Sequence, residues 1–326
     1  MESIKQDLCE YDLLTKDIVF VDGLTRVGKA IYNRVIASLS NMSHPQFLEP
    51  LEQLLPMYKT GHIDKNAFSA FLRLNLNERA YNHALSRNLN FRYDDLTSVH
   101  NSNNYRELFK NLSKEDGNSV ITELNTNKTI HQFQTHDILT HYSLFLDLDI
   151  DVQIIEVIRN PIDTIHSWYK RGWGSRFDNE DPRSFTSLFK YKGKTIPHYV
   201  LGMEDEYLKL NEMEKCVFMH NLLLKKSIKE YKQLSEKQKN NILILEYENM
   251  LNQPLEELNK ICLFLNVEKT EYTEKAMLDA RVPRKNKAIS TDNKLDDIKG
   301  MVNIKLFNEL IVLSNEYENN YNLDSK

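Results

Sequence analysis

Residues 17–40 constrain the fold of this chain more than any other segment. A short apolar run, Ile18–Val21, directly precedes a loop bounded by Gly23 and Gly28, and a stretch with helical periodicity follows to about Ser40. A strand, a glycine-bounded loop and a helix N-terminus form a cradle in which backbone N–H groups surround a phosphate. The segment therefore predicts a phosphate-binding loop in an α/β protein.

The residues of this loop limit what it can bind. They are Gly23, Leu24, Thr25, Arg26, Val27, Gly28, Lys29 and Ala30. The two glycines allow close backbone approach, and Arg26 and Lys29 add positive charge. The pattern also matches GxxxxGK of nucleoside triphosphate enzymes, but Ala30 stands where that motif has Ser or Thr to hold Mg²⁺. We expect a phosphate site and no metal; a chance tight turn before an amphipathic helix is the alternative.

Three further apolar runs are rich in β-branched residues and are predicted to be buried strands: Val120–Leu124, Ile154–Ile158 and Ile242–Leu245. Helical periodicity fills long segments between them, notably 63–88, 204–234 and 252–265. Nearly continuous apolar strands interleaved with helices indicate a parallel sheet covered on both faces. The predicted fold is therefore α/β, with a central parallel sheet flanked by helices.

The chain has few breaks that would separate domains. Only 9 Gly and 8 Pro occur in 326 residues, and neither a flexible linker nor an internal repeat is present. We expect a single domain over residues 1–326, with helical insertions at about 45–115 and 175–235. The C-terminal tail, about 319–326, is expected to fray after Glu318.

Composition excludes several classes of protein. A net charge of −5 argues against a protein that coats nucleic acid, and no apolar run approaches the ~20 residues that span a bilayer. The acidic N-terminus is unlike a secretory signal, and three widely spaced cysteines suggest neither a disulfide framework nor a zinc site. We expect a cytoplasmic protein.

A second candidate phosphate site follows the run Ile154–Ile158, which ends at Arg159. Pro161 suits the first turn of a helix, and Asp163 suits the positive end of its dipole. Arg159 would offer a planar pair of donors to phosphate oxygens, and Ser167 a hydroxyl from the helix.

These motifs resemble those of the sulfotransferases that use 3′-phosphoadenosine 5′-phosphosulfate. In that family a strand ends in Arg-Asp/Asn-Pro, and a Ser eight residues after the Arg completes the 3′-phosphate site; Arg159 and Ser167 have that spacing. The family's first loop reads Lys/Arg-Ser-Gly-Thr-Thr, of which residues 26–30 keep only Arg26 and Gly28. Residues 242–267 are similar to the family's strand, Tyr-Glu-Asp-Leu segment and Pro-containing helix, with Glu248 as a structural anchor.

The resemblance implies a sulfotransferase fold similar to that of P-loop nucleoside triphosphatases. It also implies sulfuryl transfer from 3′-phosphoadenosine 5′-phosphosulfate to an acceptor hydroxyl, with adenosine 3′,5′-bisphosphate as product and no metal. The acceptor is expected to be a carbohydrate or, second, a small-molecule alcohol. Implied nucleotide contacts are Gly23, Thr25, Arg26, Val27, Gly28, Lys29, Ala30, Arg159, Ser167, Arg284 and Lys285. Arg26, helped by Lys29, would stabilise charge on the leaving phosphate.

The general base is expected to be a histidine. His136 lies where the family places a Lys-Thr-His segment, a little more than twenty residues before Arg159, and is preferred to His131. Arg284 and Lys285 would reach the 3′-phosphate or form a solvated turn. Trp168, Trp173 and Phe177 are more consistent with packing than with stacking on a ligand.

Two other functions remain open. A P-loop kinase or other nucleotide phosphotransferase would use Asp147 as its metal ligand, but would leave Arg159 and Ser167 without a role. A noncatalytic relative would bind the bisphosphate without transferring sulfate.

Overall fold

The structure is a computed structural model that describes residues 7–103, 105–146, 148, 150–284 and 291–321. Its strands are β1 (Ile18–Asp22), β2 (Gln46–Phe47), β3 (His131–Gln134), β4 (Gln153–Ile158), β5 (Leu188–Tyr191), β6 (Lys194–Pro197) and β7 (Ile242–Glu246). Its α-helices are α1 (Lys29–Ile36), α2 (Glu49–Lys59), α3 (Lys65–Ala84), α4 (Tyr105–Asn111), α5 (Asn118–Thr126), α6 (Tyr142–Leu146), α7 (Pro161–Lys170), α8 (Trp173–Arg176), α9 (Glu204–Tyr207), α10 (Glu212–Gln233), α11 (Glu236–Lys239), α12 (Tyr247–Asn252), α13 (Pro254–Leu265), α14 (Thr273–Asp279), α15 (Thr291–Lys299) and α16 (Ile304–Glu316).

Five strands form one parallel sheet in the order β2-β3-β1-β4-β7. Every residue of β1 is buried, because this strand lies at the centre of the sheet with helices packed around it. The prediction of a central parallel sheet flanked by helices is confirmed. Since the strands are parallel, the carboxyl ends of β1, β3, β4 and β7 meet at one edge, which is where ligands bind in open α/β sheets.

One predicted strand was wrong. Residues Val120 to Leu124 lie in helix α5, where Val120 and Leu124 are one turn apart and pack on Ala80 and Ala84 of α3. A five-residue apolar run does not distinguish a strand from a short buried helix by its periodicity.

The strand that occupies the sheet beside β1 is instead β3, whose residues are mostly polar. Gln132 and Gln134 are buried, and the Asn33 side chain of α1 accepts from Gln132 Nε2 at 2.7 Å and donates to Gln134 Oε1 at 3.0 Å. Burial of these amides is tolerated because each makes hydrogen bonds. A polar central strand has none of the hydrophobic pattern by which the other strands were found.

Several predicted boundaries differ from those observed. The helix after the phosphate loop ends at Ile36 rather than near Ser40, and Asn211 caps the start of a new helix, α10, within the segment 204–234. The segment 175–235 also contains the antiparallel pair β5 and β6. Tyr321 is buried and hydrogen-bonds Ser227, so the chain stays packed beyond the expected point of fraying at Glu318.

A buried ion pair joins α7 to α15. Lys294 donates to Asp163 at 2.6 Å, and the two side chains are 7% and 6% exposed. The sequence predicted that Asp163 interacts with the positive end of the helix dipole. In the structure it also forms an ion pair with a charged lysine. Because α7 also carries Ser167, this pair helps to position one of the candidate phosphate ligands.

We predict that Lys294→Met lowers the free energy of unfolding by about 3–5 kcal/mol, because it leaves the Asp163 carboxylate buried without a partner. The control is Lys192→Met, which removes an exposed pair with Asp205 and should cost much less. Denaturant unfolding of the two variants measures both values. A similar loss in both would show that the buried pair contributes no more than a surface pair.

Candidate functional site

The first phosphate loop lies between the carboxyl end of β1 and the start of α1. Gly23 has a φ of +129°, and a Cβ there would lie 2.3 Å from the carbonyl oxygen of Val157. Gly28 has a φ of +103°, and its Cβ would lie 2.2 Å from the ring of Tyr247. Both glycines are therefore required, since β4 and the residue after β7 press directly against the loop.

The two predicted phosphate sites form one cluster. Arg159, the residue after β4, donates from Nη1 to the carbonyl oxygen of Arg26 at 3.0 Å, and its guanidinium lies 4.5 Å from the ring centre of Tyr247. Arg26 Nε in turn donates to Ser167 Oγ at 3.5 Å. Arg284 Nη2 lies 3.4 Å from the Tyr247 hydroxyl, so it approaches the same cluster.

This cluster carries positive charge. Burial lowers the pKa of Arg26, and the nearby Arg171 and Arg159 lower it further. Among the described residues, no carboxylate forms an ion pair with Arg26 or Arg159, and the buried Nε of Arg159 lacks a hydrogen-bond partner. Burial raises the pKa of the nearby Glu248, and Arg159 opposes this change. Converging cations with an unsatisfied donor are arranged for an anion.

Lys29 is oriented differently from Arg26. Its side chain is 4% exposed, and its Nζ donates to the carbonyl oxygens of Gly23 and Leu24, the latter at 3.0 Å. Burial lowers its pKa, while the nearby carboxylates of Asp22 and Asp137 raise it. Lys29 therefore lies beneath the loop, between the backbone and a group of buried acids.

The other predicted loop and aromatic residues have mainly structural contacts. Val27 is buried in the core, Ala30 is exposed, and the Thr25 carbonyl accepts a 2.7 Å hydrogen bond from Trp168 Nε1. The rings of Trp168 and Trp173 stack on each other, and Phe177 is fully buried, which confirms the packing interpretation for these aromatics. Lys285 and Asp147 lie outside the described residues.

His136 follows β3 and lies at the same edge of the sheet. Its Nδ1 is 2.8 Å from Oε1 of Glu52 on α2. Asp22 anchors the His136 loop, because its carboxylate accepts hydrogen bonds from Thr135 Oγ1 at 2.9 Å and Leu139 N at 3.0 Å. His131 instead lies within β3, 1% exposed, and neither ring nitrogen has a partner.

The surroundings of His136 and Glu52 shift both groups toward their neutral forms. Burial lowers the pKa of His136 to about 3, and repulsion by Lys29 adds to the effect. Burial raises the pKa of Glu52 to about 8, although Lys29 opposes the change. The pair lines a cavity of about 30 Å³ together with His141, His198 and Tyr199.

Sequence reasoning missed Asp22, Glu52 and Tyr247 as site residues. Asp22 directly follows an apolar strand at the start of the loop, which is a signal that could have identified it. Glu52 has no such signal, since it comes from a helix 84 residues before His136. Tyr247 appeared in the sequence analysis only within residues 242–267, the segment that resembles the family. Its contact with Gly28 depends on the tertiary packing of β7.

The family model described as the sulfotransferase domain matches residues 62–305. The chain belongs to the sulfotransferase-domain family. The matched region contains His136, Arg159, Ser167 and Arg284, and it begins after the phosphate loop. No curated relative matches the chain.

Several solved sulfotransferase structures are similar to this one. The sulfotransferase domain from the curacin biosynthetic pathway is 13% identical, covers 97% of this chain and 99% of its own, and has a TM-score of 0.45. The sulfotransferase domain of the Synechococcus PCC 7002 olefin synthase is 15% identical, with coverages of 96% and 98% and a TM-score of 0.45. Sulfotransferase STF9 from Mycobacterium avium is 11% identical, with coverages of 94% and 77% and a TM-score of 0.46.

The described part of this sulfotransferase lacks two kinds of feature. None of its described helices is long and apolar enough to cross a membrane. No group of three or more His, Cys, Asp or Glu side chains within the described ranges is arranged to hold a metal ion.

We predict that Gly28→Ala lowers the free energy of unfolding of this sulfotransferase by about 2–3 kcal/mol, because the new Cβ meets the Tyr247 ring at an unfavourable φ. Gly61→Ala is the matched control: its φ is +74°, and a Cβ would meet nothing within 4 Å. It should cost only about 1 kcal/mol from backbone strain. Equal losses in denaturant unfolding would show that Tyr247 does not restrict the loop.

Proposed function

We propose that this protein transfers the sulfuryl group of 3′-phosphoadenosine 5′-phosphosulfate to an acceptor hydroxyl. The main support is the cluster of Arg26, Arg159 and Ser167, which has positive charge, hydrogen-bond donors and no acidic partner among the described residues. Membership of the sulfotransferase-domain family supports the reaction type.

The residues fit a ligand with anionic groups at two places. The backbone of residues 23–28 would hold the 5′-phosphate, because the loop has two glycines in close contact with the sheet. Arg159, with its unpartnered Nε, Ser167 and Arg284 would hold the 3′-phosphate. When bound, the co-substrate supplies a sulfuryl group attached to a phosphate that can leave.

Four side chains of this protein would take part in the reaction. Arg26 would stabilise the negative charge on the departing 5′-phosphate oxygen, with Lys29 adding positive charge from beneath the loop. His136 would accept the proton of the acceptor hydroxyl at Nε2, as that oxygen bonds to sulfur and the bond from sulfur to the phosphate oxygen breaks. Glu52 would hold His136 in position through Nδ1.

The acceptor would enter beside His136. The cavity at His136 adjoins a cleft of about 470 Å³, which is within the ~300–1,000 Å³ range of small-molecule sites. We propose a carbohydrate hydroxyl as the acceptor, since the cleft is large enough for a sugar and combines apolar side chains such as Leu201 and Leu222 with Tyr199, histidines and lysines, which suits the apolar and polar faces of a sugar.

We predict that Arg159→Ala weakens binding of adenosine 3′,5′-bisphosphate by about 30- to 150-fold, corresponding to the loss of charge-assisted hydrogen bonds worth ~2–3 kcal/mol. Binding of adenosine 5′-phosphate should weaken less than about threefold, because it has no group at Arg159. Calorimetric titration measures both ligands, and Arg183→Ala, an exposed arginine paired with Asp181, is the control. An equal loss for the two ligands would contradict the assignment of Arg159 to the 3′-phosphate.

We also predict a pH dependence set by Glu52. While Glu52 is protonated, it donates to Nδ1, the imidazole proton is on Nε2, and that nitrogen cannot accept a proton. As pH rises through about 8, Glu52 ionises, Nδ1–H donates to it, and Nε2 becomes free. Accordingly, kcat/KM should rise with pH to a plateau above about 8.

Two variants test this account of the base. Glu52→Gln should remove or displace the rise near pH 8, because the titrating group is gone. His136→Ala should abolish sulfate transfer while binding of the bisphosphate changes less than about twofold. A Glu52→Gln variant with the wild-type pH profile would exclude Glu52 as the titrating group, and full transfer by His136→Ala would exclude His136 as the base.

A further inference from the structure

The cleft next to the proposed acceptor site is strongly basic. Four lysines line it, Lys59 from α2 and Lys225, Lys226 and Lys229 from α10, although the whole chain has a net charge of −5. No Asp or Glu is among its lining residues. The cleft shares His141, His198 and Tyr199 with the cavity that contains His136, so a single molecule can occupy both.

Three of the four lysines are unpaired within the part of the chain that the structure describes. Lys225 pairs with Glu309, whereas Lys59, Lys226 and Lys229 form no ion pair with any residue that the structure describes. Lys226 Nζ instead lies 3.3 Å from both ring nitrogens of His141. Burial and the adjacent Lys59 lower the pKa of Lys226 to about 7, and the attraction of Asp137 and Glu230 is the smaller effect. Uncompensated charges held this close are stabilised by an anion.

The spacing of Glu52 and Lys59 on α2 gives the distance along this helix between the His136 cavity and the lysine cleft. Glu52, the partner of His136, and Lys59 are seven residues apart, which places them on the same face about 10 Å apart along the helix. Lys226 and Lys229 are three residues apart on α10 and face the same cleft. An anion bound near Lys59 would therefore lie about two helical turns along α2 from Glu52.

We propose that the acceptor is an anionic alcohol of about disaccharide size, whose hydroxyl lies at His136 and whose carboxylate or phosphate is bound by Lys59, Lys226 and Lys229. This inference rests on the proposed function for the identity of the hydroxyl site. The inference that the cleft binds an anion depends only on the lysines that line it. The cleft gives specificity because a neutral acceptor would leave the three cations unpaired.

Matched disaccharides test the proposal. Cellobiose, cellobionic acid and cellobiose 1-phosphate differ in the group at one end, which is neutral, a carboxylate or a phosphate. We expect the full-length protein, saturated with adenosine 3′,5′-bisphosphate, to bind at least one of the two anionic compounds about tenfold or more tightly than cellobiose. Calorimetric titration measures the dissociation constants, and the preference should decrease as salt is raised.

Variants then assign the preference to the lysines. Lys226→Met and Lys59→Met should each reduce it by about tenfold. Lys232→Met should leave it unchanged, because Lys232 is also on α10 but bonds Asn320 and does not line the cleft. The melting temperature of Lys226→Met without ligand should equal or exceed that of the wild type, since the change removes repulsion from Lys59.

The outcomes separate this inference from the proposed function. Binding of the bisphosphate together with equal affinity for all three disaccharides, or an unchanged preference in both Lys226→Met and Lys59→Met, would overturn the anionic acceptor and leave sulfuryl transfer intact. If the bisphosphate does not bind, the proposed function fails. A lysine-dependent preference measured without it would still support the anion site.

Discussion

The site depends on the buried carboxylate of Asp22. This residue ends the central strand β1, is fully buried, and accepts hydrogen bonds from Thr135 and from the backbone of Leu139. It thereby fixes the loop that carries His136 to the strand that carries the phosphate loop. Lys29, buried beneath the phosphate loop, supplies positive charge near the Asp22 carboxylate. A buried acid and cation thus set the distance between the nucleotide site and the proposed base.

Acidic and basic side chains occupy different places at the carboxyl edge of the sheet. The buried acids are near a buried lysine, whereas Arg26 and Arg159 face the ligand site without acidic partners in the described part of the chain. The ring of Tyr247 contacts both Arg159 and Gly28, so this residue links the second candidate phosphate site to the phosphate loop. This arrangement would let the proposed nucleotide bind to side chains that are already in place, which would lower the cost of ordering them.

The sequence was sufficient to predict those strands and site residues that belong to short motifs next to buried apolar runs. The apolar strands β1, β4 and β7, the glycines of the loop, and the spacing of Arg159 and Ser167 are all local features, and the structure places them at one edge of the sheet. Sequence reasoning failed for β3, because Gln132 and Gln134 are buried through hydrogen bonds to Asn33. It also could not find Glu52, whose partner His136 is 84 residues away. Nor could it find the lysine cleft, which combines Lys59 of α2 with lysines of α10 more than 150 residues away.

The most direct test of the account is calorimetric titration of the wild-type protein with adenosine 3′,5′-bisphosphate in EDTA. We expect one ligand to bind per chain, and its affinity to fall as salt is raised, because the interaction is between arginines and phosphates. The same titration with ATP and Mg²⁺ should give much weaker binding. Binding of ATP with Mg²⁺ in preference to the bisphosphate would contradict the assignment of this site to a sulfuryl donor.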